Sequence, residues 1–165
     1  MKQIVLLSDT HSYSESKLNP YLEKADEIWH AGDIGSIQVV TWLESFKKPI
    51  RAVYGNIDGT EIRNLYPEDL VFTLEGIKFY ITHIGGYPAR YHTRVKKKFD
   101  EIKPDVFICG HSHILKMVQD PKYKHWVFNP GAAGKEGFHL VKTALKFELE
   151  EKNIKGVEII NLGTK

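Results

Sequence analysis

Five times along this chain an apolar, strand-like run ends and a small polar cluster begins. The clusters read Asp9-Thr10-His11, Gly32-Asp33, Gly55-Asn56, Thr82-His83 and Gly110-His111-Ser112-His113. Between them they supply two Asp, one Asn and four His, all able to bind a divalent cation through oxygen or nitrogen. A core cannot bury so many polar groups without partners. In sheets whose strands alternate with helices, ligand sites gather beyond the carboxyl ends of the strands. The pattern therefore restricts the chain to folds in which several strand ends face one place.

The remaining periodicity agrees with such a fold. Gln3 to Ser8 reads as a strand buried on both faces. A helix is expected from about Glu15 to Lys24, with Pro20 a weak point. Strands from Glu27 to Ala31 and from Pro49 to Tyr54 flank a helix capped by Ser36 and running to about Phe46. Asp69 to Leu74 and Ile77 to Thr82 form a hairpin about Glu75-Gly76. A basic amphipathic helix from Arg90 to Ile102 stops before Pro104, and Val106 to Cys109 is a buried strand. Strands are then expected over His113 to Val118, Lys124 to Phe128, Phe138 to Val141, Leu145 to Glu150 and Val157 to Asn161. Their breaks fall at Asp120-Pro121, Lys142-Thr143 and Asn153. Early alternation followed by a late meander predicts an α/β protein of two packed sheets with helices outside.

A length of 165 residues without repeat or linker favours one domain, residues 1–165. A net charge of +2 argues against a nucleic-acid or membrane partner. No apolar stretch approaches the ~20 residues of a bilayer span. The run Ile4 to Leu7 is too short for a signal-peptide core, so a cytoplasmic location is expected. Cys109, the one cysteine, sits in an apolar run and reads as a small buried hydrophobe.

The seven candidate ligands fit a pair of metals better than one. Asp9 and His11, two apart, point the same way in an extended segment and can grip one ion together. His111 and His113 share that spacing but lie in a loop, where they can serve different ions. The Asp33 carboxylate can bridge two cations about 3.5–4 Å apart, and Asn56 offers a neutral oxygen. Two divalent ions balanced by only two carboxylates and a hydroxide leave roughly one positive charge, a resting place for an anionic phosphate ester. Hydrolysis by a metal-activated hydroxide, with Asn56 helping to stabilise charge on phosphorus, is the reaction expected of such a centre.

In this order the motifs Asp9-x-His11, Gly32-Asp33, Gly55-Asn56-x-Asp58, His83 and Gly110-His111-x-His113 resemble those of the calcineurin-like metallophosphoesterase superfamily, above all its small bacterial and archaeal phosphodiesterases. The resemblance runs from Lys2 to about Gly134. It implies an αββα four-layer sandwich, two mixed sheets flanked by helices. It also implies two divalent metal ions, with manganese expected first and iron, zinc or nickel as alternatives. In that pattern Asp9, His11, Asp33 and His113 hold one ion, and Asp33, Asn56, His83 and His111 hold the other. Asn129-Pro130-Gly131-Ala132 matches a late loop that shapes the site.

Three positions depart from the pattern. Ile57 replaces the usual acid histidine after the motif Asn and cannot donate a proton. Ile84 replaces a Gly, and Ala132 replaces a Ser. Asn56 and Asp58 are the expected catalytic residues; Asp58 either orients a ligand or stabilises the Asn56 turn. Arg90 is the candidate substrate clamp, against the plainer reading of a solvated charge at a helix start. His30 is expected to pack behind the ligands. His92, His125 and His139 read as surface or packing residues, Lys96-Lys97-Lys98 as a wet helix face, and Trp29, Trp42 and Trp126 as core. The expected activity is phosphodiester hydrolysis of a small-molecule ester. A protein-binding scaffold like a eukaryotic retromer subunit, or a nuclease, is the alternative. Pairing of an edge strand with a second copy is also open.

Overall fold

The computed structural model describes Met1 to Lys165. Two mixed five-stranded sheets face each other. In the first, β1 (Lys2–Leu7) lies between β2 (Glu27–His30) and β9 (Val141–Glu150), with β3 (Ile50–Ala52) and β10 (Asn153–Thr164) at the edges. β1, β2 and β3 run parallel; β9 and β10 are antiparallel additions. The second sheet has the order β4 (Asp69–Leu74), β5 (Ile77–Thr82), β6 (Val106–Ile108), β8 (Trp126–Pro130), β7 (Leu115–Gln119). There β5, β6 and β8 are parallel, and β4 and β7 are antiparallel edges.

Strand alternation divides the apolar residues into layers. Ile4, Leu6 and Trp29 point between the sheets, against Phe79, Ile81, Val106 and Ile108. Val5, Leu7 and Ile28 point the other way. They meet Leu22 of α1 (Asn19–Lys24), Val39, Val40 and Leu43 of α2 (Ile37–Glu44) and Ile62 of α3 (Thr60–Leu65). The outer face of the second sheet, Tyr80, Phe107 and Val127, buries Val95 and Phe99 of α4 (Thr93–Ile102). The result is the expected αββα sandwich. No helix is long and apolar enough to cross a membrane.

Several details differ from the sequence reading. Pro20 occupies the first turn of α1, where its missing N–H is no loss, so the helix starts at Asn19 behind a short 3-10 turn. α4 begins at Thr93, with His92 as its cap. β9 is one continuous strand rather than two. Lys142 and Thr143 are buried within it, and their polar groups are paired with Glu15 and with the Pro130 carbonyl. The turn that follows is Glu151-Lys152, both with positive φ. Phe138, read as strand, is fully exposed in a loop. Trp29 is fully buried, but Trp126, at the first position of β8, is 43% exposed.

Candidate metal centre

The parallel strands deliver the candidate ligands. Asp9 and His11 follow β1, Asp33 follows β2, Asn56 follows β3, His83 follows β5, and His111 and His113 follow β6. Backbone hydrogen bonds zip these loops together: Asp9 N–H donates to Gly32 O (2.9 Å), His11 N–H to Asp33 O (3.0 Å) and Gly110 N–H to His83 O (3.0 Å). Five of the ligand residues, Asp9, His11, Asp33, His111 and His113, hold positive φ between 45° and 69°. L-residues avoid this region at a cost of about 1–2 kcal/mol each. Such strain persists only where the surroundings enforce it, and it concentrates at functional sites. At Gly32 (φ +100°) a Cβ would lie 2.6 Å from His83 Nδ1, so only glycine lets that imidazole approach.

Six of the side chains form two groups, Asp9–His11–His113 and Asp33–His83–His111. Within each, the ligating atoms lie within 4.8 Å of one another. Hydrogen bonds fix which atoms face inward. Asp9 Oδ2 accepts from Ser8 Oγ (2.6 Å) and His111 N (3.1 Å), which leaves Oδ1 toward His113 Nε2 at 3.2 Å. Asp33 Oδ1 accepts from Ile57 N (3.1 Å). Its other oxygen, Oδ2, lies 3.4 Å from His11 Nε2 in one group and 3.1 Å from His83 Nε2 in the other. A single Asp33 oxygen thus stands between the two groups.

His83 gives the clearest test of whether a cation fits. Its Nδ1 lies 2.7 Å from the Ala31 carbonyl, which can only accept, so Nδ1 carries the proton. In the neutral ring Nε2 then presents a lone pair to the Asp33 carboxylate. His83 Nε2, His11 Nε2 and Asp9 Oδ1 are all buried without an aligned hydrogen-bond partner. Buried polar atoms left without a partner are expensive, and divalent cations between them would satisfy all three. The donor set of imidazole nitrogen and carboxylate oxygen suits manganese, iron, zinc or nickel.

Without a cation, the histidines and carboxylates balance one another, and a cation bound there would displace protons from the imidazoles. Burial pushes Asp9 and Asp33 upward, but His11 and His83, joined by His113 at Asp9, outweigh it and hold both carboxyls well below their usual range. Asp33 and Asp9 raise His11 to about 9. His83 is raised too, burial being overcome by the same carboxylates, whereas burial and the nearby His83 lower His111. The carboxylates stay ionised, as metal ligands must.

Asn56 is exposed and lines a cleft of about 310 Å³ together with His83, His92, Arg63, Arg94 and Glu68. Ile57 is half exposed beside it. Asp58 is buried, and its carboxylate accepts backbone N–H groups from Gly55 (2.8 Å), Ile34 (3.1 Å) and Gly35 (2.7 Å). Its two oxygens therefore tie the Asp33 and Asn56 loops together, which is the turn-stabilising reading of this residue. Arg90 is exposed and outside the cleft lining; Arg63 and Arg94 line it instead. His30 packs behind the ligands, as expected, between Gly32 N and Thr10 Oγ1. Asn129 Nδ2 donates to Gly110 O (3.0 Å) and Ser112 Oγ (3.1 Å), bracing the histidine loop.

Sequence reasoning missed Ser8, Arg63, Arg94 and His139. The last lies against His113, with Nδ1 to Nδ1 at 3.1 Å. No motif neighbour marks Arg63, Arg94 or His139. Only Ser8 carried a signal, as a hydroxyl at the end of a buried apolar run.

Residues 1–152 match the model of the calcineurin-like phosphoesterase superfamily domain. A phosphodiesterase of Methanocaldococcus jannaschii is 28% identical over 151 residues, covering 78% of this chain and 82% of its own. A probable metallophosphoesterase of Mycoplasma pneumoniae is 35% identical over 123 residues, covering 69% of each. In fold, Vps29 of Chaetomium thermophilum superposes with a TM-score of 0.75 at 14% identity, covering 100% of this chain and 96% of that one.

Proposed function

This chain belongs to the calcineurin-like phosphoesterase superfamily, and from that premise we propose that it is a metal-dependent phosphodiesterase with a dinuclear centre. The observation that carries this reading is the convergence of buried, unpartnered ligating atoms of His83, His11 and Asp9 about the shared Asp33 oxygen. Asp9, His11, Asp33 and His113 would hold one divalent ion, and Asp33, Asn56, His83 and His111 the other. When bound, such ions polarise phosphoryl oxygens and make hydroxide available near neutral pH. Manganese is the first candidate.

The chain's own residues shape what can be hydrolysed. Arg94 is held by Asp69 (2.7 Å) and Thr82 (2.9 Å). Arg63 donates to Asp58 O and stacks 4.4 Å above the Tyr54 ring. Both guanidiniums are therefore fixed at the cleft wall, and Glu68 beside them offsets part of their charge. That balance suits a singly negative diester better than a dianionic monoester, and it assigns phosphate-side contacts to Arg63 and Arg94 in preference to Arg90. Ile57 supplies no proton to the leaving group, so esters of acidic alcohols should react fastest. The substrate class is a small-molecule phosphodiester.

The test is turnover of bis-aryl diesters and aryl monoesters by protein stripped with EDTA and reloaded with manganese. The diester should be hydrolysed faster, and Asn56→Ala or His113→Ala should lower kcat at least 100-fold with the circular dichroism spectrum unchanged. A protein that takes up no divalent metal and turns over neither ester would instead favour the scaffold reading, for which the Vps29-like fold leaves room.

A further inference from the structure

The loop between β8 and β9 reaches back over the ligands, and His139 is its point of contact. His139 Nε2 lies 2.8 Å from the Gly134 carbonyl, an obligate acceptor, so Nε2 carries a proton. In the neutral ring Nδ1 is then an acceptor. It lies 3.1 Å from His113 Nδ1, which must donate. With its proton on Nδ1, His113 presents an unprotonated Nε2 toward Asp9 Oδ1 at 3.2 Å, the side on which a cation would bind.

Two further features make this a built arrangement. Gly134 N–H donates to Asp9 O at 3.1 Å, so the loop is anchored on one ligand before it touches another. Gly137, at φ +118°, passes so close to His113 that a Cβ there would lie 2.2 Å from Nδ1. The loop thus closes directly over the His113–His139 contact. Yet its outward residues bury nothing: Phe138 is fully exposed and Leu140 is 79% exposed. Beyond the buried Ala132 and Ala133, the rest of the loop adds little to the core and still lies against His113, so that part is placed for the site rather than for stability.

We propose that His139 is a positioning residue: it accepts the Nδ1 proton of His113 and so fixes the tautomer and ring orientation in which His113 Nε2 can bind the cation shared with Asp9 and His11. This rests on the dinuclear reading above. Outer hydrogen bonds of this kind are typically worth 10–100-fold in metal affinity.

Two substitutions separate the hydrogen bond from mere packing. His139→Phe keeps a flat ring against His113, where the imidazoles now meet edge-on at 5.0 Å, but removes the acceptor. His139→Asn keeps an acceptor near the position of Nδ1. Calorimetric titration of EDTA-stripped protein with Mn²⁺ or Co²⁺ reads the effect directly. The wild type should bind two equivalents. His139→Phe should weaken one of them 10–100-fold and leave the other within a few-fold, His139→Asn should recover most of the loss, and melting in EDTA should be the same for all three. Two equivalents bound by His139→Phe with wild-type affinities would overturn the proposal while leaving the dinuclear reading intact. So would an equal loss in both variants. A wild type that binds no cation overturns the dinuclear reading itself.

Discussion

His30 shows how a single buried side chain can set the acid tolerance of the fold. Its Nδ1 accepts from Gly32 N–H (3.1 Å), so Nε2 donates to Thr10 Oγ1 (3.0 Å), whose hydroxyl donates in turn to Ile34 O (2.9 Å). Protonating Nδ1 would set two N–H groups against each other. Burial, opposed only in part by Asp58 and Asp9, lowers this histidine from 6.5 to about 4. Between those values the unfolded chain takes up a proton that the folded chain refuses. Stability present at pH 7 is therefore lost as pH falls below 6.5, and the loss ends near 4. Between pH 7 and pH 5 this amounts to roughly 2 kcal/mol. In urea unfolding with EDTA, the wild type should lose about that much more than His30→Asn, which keeps an acceptor for Gly32 but does not titrate. Equal losses would mean that folded His30 accepts a proton after all. At this scale the ligands were legible in the sequence because each stands in a short motif after an apolar run. His139, Arg63 and Arg94 were not, since their roles depend on a loop closure and a cleft wall that no local pattern encodes.

Among the elements, β9 is the most instructive. Lys142 and Thr143 look like a break between two short strands, because polar pairs usually mark turns. In the fold both are inside, Lys142 forming an ion pair with Glu15 just ahead of α1. Leaving one member of such a buried pair uncompensated typically costs about 3–5 kcal/mol. Lys142→Met should therefore be destabilised by about that amount in denaturant titrations, and adding Glu15→Gln should recover most of it. A double variant no better than the single one would show that packing of the lysine stem, not charge, is what matters. α3 was illegible for the opposite reason: it is six residues long and buries only Ile62, too little for an amphipathic period to register. β1, β2 and α4, each with at least two buried positions, were readable, and the missed boundaries lie where caps and polar pairs decide the ends.

Across the whole molecule the site straddles the sandwich. Asp9, His11, Asp33 and Asn56 come from the first sheet, and His83, His111 and His113 from the second. Cations bound there would hold the two layers together and favour the folded chain. At a hundredfold excess over Kd one bound ion contributes about 2.7 kcal/mol, which for a chain of this size raises Tm by about 5–10 °C. Manganese should produce such a rise over EDTA in calorimetric scans, and Asp33→Asn, which weakens the oxygen common to both groups, should abolish most of it. An unchanged melting point for the wild type would contradict the centre. The left-handed backbone at five ligand positions has one more outcome. Glycine would sit more comfortably at each, so a breeding programme that rewards heat tolerance alone would replace them first. Its winners would be sturdier molecules, and inert ones.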